Sequence, residues 1–176
     1  ELQKVVKWLR KGGAVDAICS TATADDRAST FTLMHAAANC GHLEMVRMLL
    51  KRGASVDLQS SLGRTALMSA AAQGHSSVLL LLLERLANPD LQDIDGHTAL
   101  MEAAGNGQEA CVQALLRAGA NTELRTKYFR LTALRLTRLR AARALIRQHA
   151  CLTLGLGLAL CAALPLAWPW VVLWVV

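Results

Sequence analysis

A 33-residue period constrains this chain more than any other feature. Thr32, Thr65 and Thr98 are separated by one step of 33, and Gly41, Gly74 and Gly107 keep the same step. The pairs Ala37-Ala38, Ala70-Ala71 and Ala103-Ala104 repeat with it, as do Leu49-Leu50, Leu82-Leu83 and Leu115-Leu116. Gly63 and Gly96 precede Thr65 and Thr98 at a common offset. A period of this length marks a supersecondary unit that cannot bury its apolar face alone and does so by stacking on its neighbours.

Within one period the pattern reads as two short helices. Leu33 to Asn39 is small and apolar, and Cys40-Gly41-His42 interrupts it. Leu43 to Arg52 then places Leu43, Val46, Leu49 and Leu50 at helical spacing. Gly53-Ala54 closes the second helix, glycine providing the left-handed terminal conformation. The alanines of the first helix let its partner approach closely.

The stretch Thr32-Leu33-Met34-His35-Ala36-Ala37-Ala38-Asn39-Cys40-Gly41-His42 resembles the T-P-L-H-x-A-A-x-x-G-H signature of the ankyrin repeat. Thr65-Ala66-Leu67-Met68 and Thr98-Ala99-Leu100-Met101 open two further copies. The resemblance covers roughly residues 1–150. It implies an all-α solenoid of antiparallel helix pairs, with three full repeats between two partial ones. This sequence departs from the family at several points. Leu33, Ala66 and Ala99 replace the signature proline, and Met68 and Met101 replace the histidine kept as His35, so fewer side-chain hydrogen bonds between repeats are expected there. Leu86 stands where Gly53 and Gly119 stand. A non-glycine residue in a left-handed position costs about 1–2 kcal/mol, so that loop is expected to be distorted or rebuilt around Asn88-Pro89.

Four segments follow. Residues 1–31 comprise a partial N-terminal repeat, with Leu2, Val5 and Leu9 along one helical face, and a long polar connection from Ala17 to Thr30. Residues 32–131 are the three repeats. Residues 132–149 are a degenerate basic fourth copy opened by Thr132-Ala133-Leu134; lacking the usual turn, they are expected to run as one helix. Residues 150–176 are expected to form a hydrophobic C-terminal helix, a candidate transmembrane tail anchor. The chain opens on Glu1, without Met or a signal-peptide pattern, which reads as a fragment.

Charge separates these segments. Residues 1–124 carry 11 Lys and Arg against 13 acids, whereas residues 125–176 carry 8 basic residues and no acid. Ala150 to Val176 is 27 residues without a charge, more than the roughly 20 apolar residues that span a bilayer. Trp168, Trp170 and Trp174 cluster at its far end, where interfacial rings are favoured. Pro165 and Pro169 kink or end a helix there. Arg138, Arg140, Arg143 and Arg147 flank the near end, which the positive-inside rule assigns to the cytosol. The expectation is a membrane tail anchor with cytosolic repeats; the alternatives are a packed end helix and a soluble cytoplasmic protein.

Catalytic signatures are lacking: there is no G-x-S-x-G, no phosphate loop and no H-E-x-x-H. Five scattered cysteines, Cys19, Cys40, Cys111, Cys151 and Cys161, read as reduced thiols of an intracellular protein. His35, His42 and His75 sit at signature positions rather than in a ligand cluster, so no metal and no cofactor is expected. The resemblance implies a protein partner held by loop tips and first helices. Mapped by position, the candidates are Asn39, Cys40, Ser61, Leu62, Arg64, Gln73, Ile94, Asp95, His97, Asn106, Tyr128 and Phe129. The expected function is a non-catalytic interaction scaffold, membrane-tethered through 150–176. One alternative is the regulatory portion of a larger membrane enzyme or channel. Another is nucleic-acid binding through the basic run 125–147, since clustered arginines attract phosphate.

Overall fold

The computed structural model describes residues 7–8, 11–21, 29–128 and 130–136. Three helix pairs follow one another: α1 (Leu33–Asn39) with α2 (Leu43–Lys51), α3 (Ala66–Gln73) with α4 (Ser76–Glu84), and α5 (Ala99–Gly105) with α6 (Glu109–Arg117). A short α7 (Ala133–Leu136) opens a fourth unit. The first helices form one row, α1 against α3, α3 against α5 and α5 against α7, and the second helices form another, α2–α4–α6.

Residue size explains the two rows. Ala37, Ala38, Ala70, Ala71, Ala103 and Ala104 have no solvent exposure, so the first helices touch nearly backbone to backbone. Val46, Leu79 and Val112, with Leu49, Leu82 and Leu115, are equally buried and come from the second helices at the 33-residue step. One continuous core results, which no single repeat could supply.

The N-terminal connection is more ordered than its polar composition suggests. Its two ends pair as antiparallel strands, β1 (Ile18–Thr21) with β2 (Ser29–Thr32), in the register Ile18↔Thr32 to Thr21↔Ser29. Left-handed Gly12 occupies the place of Gly53, 41 residues later and thus eight more than the period. Asp16 correspondingly accepts from the Ser55 amide, as Asp57 does from Asn88 and Asp90 from Asn121. The surplus residues extend the first inter-repeat loop into a two-stranded hairpin, an addition to the expected all-α fold.

The loop after α4 corrects a second expectation. Leu86 adopts the left-handed conformation itself, with φ 62°, beside Gly53 at 83° and Gly119 at 81°. The hydrogen bonds are those of the glycine loops: Ala87 N donates to Leu82 O, as Ala54 does to Leu49 and Ala120 to Leu115. The loop is therefore neither distorted nor rebuilt. A Cβ at Gly53 or Gly119 would meet nothing within 4 Å, and the Leu86 side chain is 87% exposed. Only the backbone preference opposes leucine here, and neighbouring repeats hold the backbone in place.

The single helix expected over 132–149 is described only as far as Leu136. The remainder of that segment and the C-terminal segment 150–176 lie outside the described residues.

Candidate functional site

Each connection from one helix pair to the next projects as a closed finger. In the second finger Ser60 N donates to Arg64 O and Gly63 N to Ser60 O, while the Ser60 hydroxyl accepts from Arg64 N. The third repeats this with Asp93 and His97, the Asp93 carboxylate accepting from His97 N at 2.8 Å. In the fourth, Thr126 N donates to Leu131 O and the Thr126 hydroxyl accepts from Leu131 N at 2.9 Å. That finger is one residue longer than the other two. Ser60, Asp93 and Thr126 share the 33-residue step and the ability to accept a loop amide.

Backbone bonds tie the fingers into a strip: Ser61 N donates to Thr30 O, Ile94 N to Leu62 O and Lys127 N to Asp95 O. Glutamine rungs brace it. The Gln59 amide donates to Gly63 O at 2.7 Å and to Gln92 O at 3.1 Å, and Gln92 does the same to Gly96 O and Arg125 O. The sequence reading missed these rungs, although Gln59 and Gln92 are one period apart. A Cβ on Gly96 would lie 2.7 Å from Lys127 N, so the fourth finger packs on the third only because residue 96 is glycine. Along the tips, Leu62, Ile94 and Tyr128 remain exposed, Ile94 at 52% and Tyr128 at 71%.

Polar contacts join this strip to the first helices. His35 Nε2 lies 2.7 Å from Arg64 O, and its Nδ1 lies 2.9 Å from the Thr32 hydroxyl and 3.2 Å from Thr32 N. A carbonyl only accepts, so Nε2 carries the proton and Nδ1 receives both threonine groups. Burial, outweighing the opposing backbone hydrogen bonds to Arg64 and Leu58, holds the imidazole below its ordinary value. In the next two repeats Met68 and Met101 fill this position, and the Thr65 and Thr98 hydroxyls revert to accepting from the Met68 and Met101 amides. Among the described residues no side-chain bond from Met68 or Met101 reaches the next finger.

On the same side, the Arg64 guanidinium lies 3.4 Å from the Glu102 carboxylate on α5. His97 Nδ1 lies 3.7 Å from Asp93. Asp93, His97 and Glu102 bring one ligand atom each within 4.8 Å of one another, a grouping that the sequence reading did not single out. Its charges already have partners: Arg64 faces Glu102, and Asp93 accepts the Asp95 and His97 amides. The trio works as a polar network between the third finger and α5.

At the far ends of the first helices, the Gln73 amide reaches Asn39 Oδ1 at 3.4 Å and His75 Nε2 donates to Asn39 O at 3.0 Å. The Asn106 side chain donates to Glu102 O on its own helix. Cys40 is exposed, whereas Cys111 is buried within α6, where desolvation raises its thiol pKa.

The sequence model described as Ankyrin repeats (3 copies) matches residues 2–93 and 33–126, well over half of the chain. The chain belongs to the ankyrin repeat family. No individual curated protein matches it. Ankyrin repeats generally mediate protein–protein interaction, and ankyrin domains are typically non-catalytic.

Within the ankyrin stack, Ser61, Leu62, Arg64, Ile94, Asp95, His97 and Tyr128 fall on the finger strip. Asn39, Cys40, Gln73 and Asn106 fall at the C-terminal ends of the first helices. None of these eleven is buried. The two groups are separated by the length of a helix, and Glu102 lies between them on α5. Phe129 and the flanking Arg138, Arg140, Arg143 and Arg147 lie outside the described residues. Among the described residues, no helix is long and apolar enough to cross a membrane.

Proposed function

We propose that this ankyrin stack is a protein-binding scaffold without catalytic activity of its own, its partner lying along the second and third fingers and the adjoining face of α5. The observation that carries this reading is the strip itself. Backbone bonds and glutamine rungs fix Leu62 and Ile94 in solvent, so apolar side chains are presented already ordered. Pre-organisation of this kind lowers the entropic cost of association. Arg64, His97 and Glu102 beside the strip supply directional polar contacts.

A photo-crosslinking residue placed at 62 or 94 tests the reading. Discrete adducts should form there and be lost on Leu62→Glu or Ile94→Glu substitution of the other position. Adducts that arise instead from Lys51 or Glu84, at the ends of the second helices, would place the partner elsewhere.

We further propose that residues 150–176 tether the repeats to a membrane with the stack in the cytosol. The support is 27 uncharged residues preceded by an acid-free, arginine-rich segment. Retention of the chain in membranes after alkaline carbonate, lost when 150–176 is removed, is the expected result. Equal release of both forms would refute the tether.

A further inference from the structure

The fourth finger differs from the others in charge. Arg125, Lys127, Tyr128 and Arg130 are all exposed, and among the described residues none of the three cations forms an ion pair. The finger is nevertheless rigidly held. Gln92 donates to Arg125 O, Lys127 N bonds Asp95 O, and Thr126 is buried and bonded to Leu131. Arg130 takes a positive φ of 49° in the finger whose counterparts use Gly63 and Gly96. Glu123 is the nearest acid in sequence and Asp95 belongs to the third finger, whose Asp95 O accepts from Lys127 N, so three cations against these two acids leave a surplus of positive charge at the tip. From Arg125 to Val176 no acid follows.

We propose that the fourth finger seats on anionic lipid headgroups, Arg125, Lys127 and Arg130 supplying the charge and Tyr128 an amphipathic ring at headgroup depth. This rests on the tether reading. The uncharged segment begins twenty residues after Arg130, a span of at most about 70 Å when extended. Lipid phosphates are then the anions at highest effective concentration around this finger, which favours them over an acidic peptide or a nucleic acid. Tyrosine is a residue of the membrane interface, and each surface cation increases occupancy about five-fold. Tyr128 is thereby reassigned from the protein partner to the membrane, and the stack stands with its C-terminal end toward the bilayer.

The test uses the full chain, reconstituted with the repeats outward in phosphatidylcholine vesicles and in vesicles containing phosphatidylserine. Flotation reads the tether, and the rate of chymotrypsin cleavage after Tyr128 reads the finger, with cleavage after Trp8 as the internal control. The chain should float with both vesicles, and cleavage after Tyr128 should be at least about ten-fold slower with phosphatidylserine. High salt should restore it, and the triple variant Arg125→Gln, Lys127→Gln, Arg130→Gln should be cut equally in both. A chain that floats but is cut after Tyr128 at one rate in both vesicles overturns the finger contact alone. A chain that fails to float with phosphatidylcholine overturns the tether and the finger proposal with it. Protection by an oligonucleotide or polyglutamate on phosphatidylcholine vesicles that exceeds protection by phosphatidylserine overturns the choice of lipid.

Discussion

His35 Nε2 and the carbonyl oxygen of Arg64 lie 2.7 Å apart, so the first helix of one repeat holds the base of the next repeat's finger. The same arginine extends its side chain to Glu102, one repeat further on. A single residue thus couples three repeats.

Because burial keeps His35 below 6.5 in the folded state, the unfolded chain binds this proton more readily. The stability that depends on neutral His35 is complete above about pH 6.5 and falls as pH drops through that value toward the folded-state pKa, below which the slope vanishes. Protonation of Nδ1 would also turn it against the two threonine donors. Denaturation at pH 7.5 and 5.5 should show a loss of stability on acidification. His35→Met, the residue of the next two repeats, should lessen that loss and cost about 1 kcal/mol at pH 7.5 through the missing bond to Arg64.

Leu86→Gly should stabilise the protein by about 0.5–1 kcal/mol, the left-handed penalty of leucine less the greater unfolded-state entropy of glycine. Gly119→Leu should lose a similar amount, since a Cβ there meets nothing. Paired thermal melts of the two variants give the sign; destabilisation by Leu86→Gly would mean that the exposed side chain makes contacts of its own.

Gly96→Ala should be harsher than Gly119→Ala although φ is nearly equal, 83° against 81°. Only the former drives a Cβ into Lys127 N. We expect about 2 kcal/mol or more for Gly96→Ala and about 1 kcal/mol for Gly119→Ala. Hydrogen exchange should show loss of protection at the Lys127 amide in the first variant only.

The repeat order and helix pairs were legible in the sequence because a 33-residue stack imposes the same burial on Val46, Leu79 and Val112 in each copy. Cross-repeat contacts were less so. Gln59 and Gln92 share the period but carry no residue-type signature, since an amide brace and a solvated glutamine look alike in one dimension. The β1–β2 pairing was hidden by its polar composition; β2 also lies beside the second finger, where Ser61 N meets Thr30 O, a tertiary contact with no local signature. Leu86 misled because a local conformational preference of 1–2 kcal/mol is outweighed by the packing of repeats on both sides. The candidate site residues were placed by position in the repeat, which locates a face but not the energy distribution across it.

Gln59→Ala and Gln92→Ala should each cost about 1 kcal/mol or less, as exposed hydrogen bonds do. Their chief effect should be on order: amide exchange at Ile94 should accelerate in Gln59→Ala, and at Lys127 in Gln92→Ala, with the helix amides unaffected.

On the proposed function, the finger strip binds the partner. Titrating a partner isolated through the residue-94 crosslink against purified variants tests it most directly. Ile94→Glu should weaken binding at least about ten-fold, in line with the loss of a central apolar contact. Leu80→Glu, at an exposed position of α4 on the other row of helices, should leave it unchanged. Unaltered affinity for Ile94→Glu with lost affinity for Leu80→Glu would contradict the account and move the interface to the second helices.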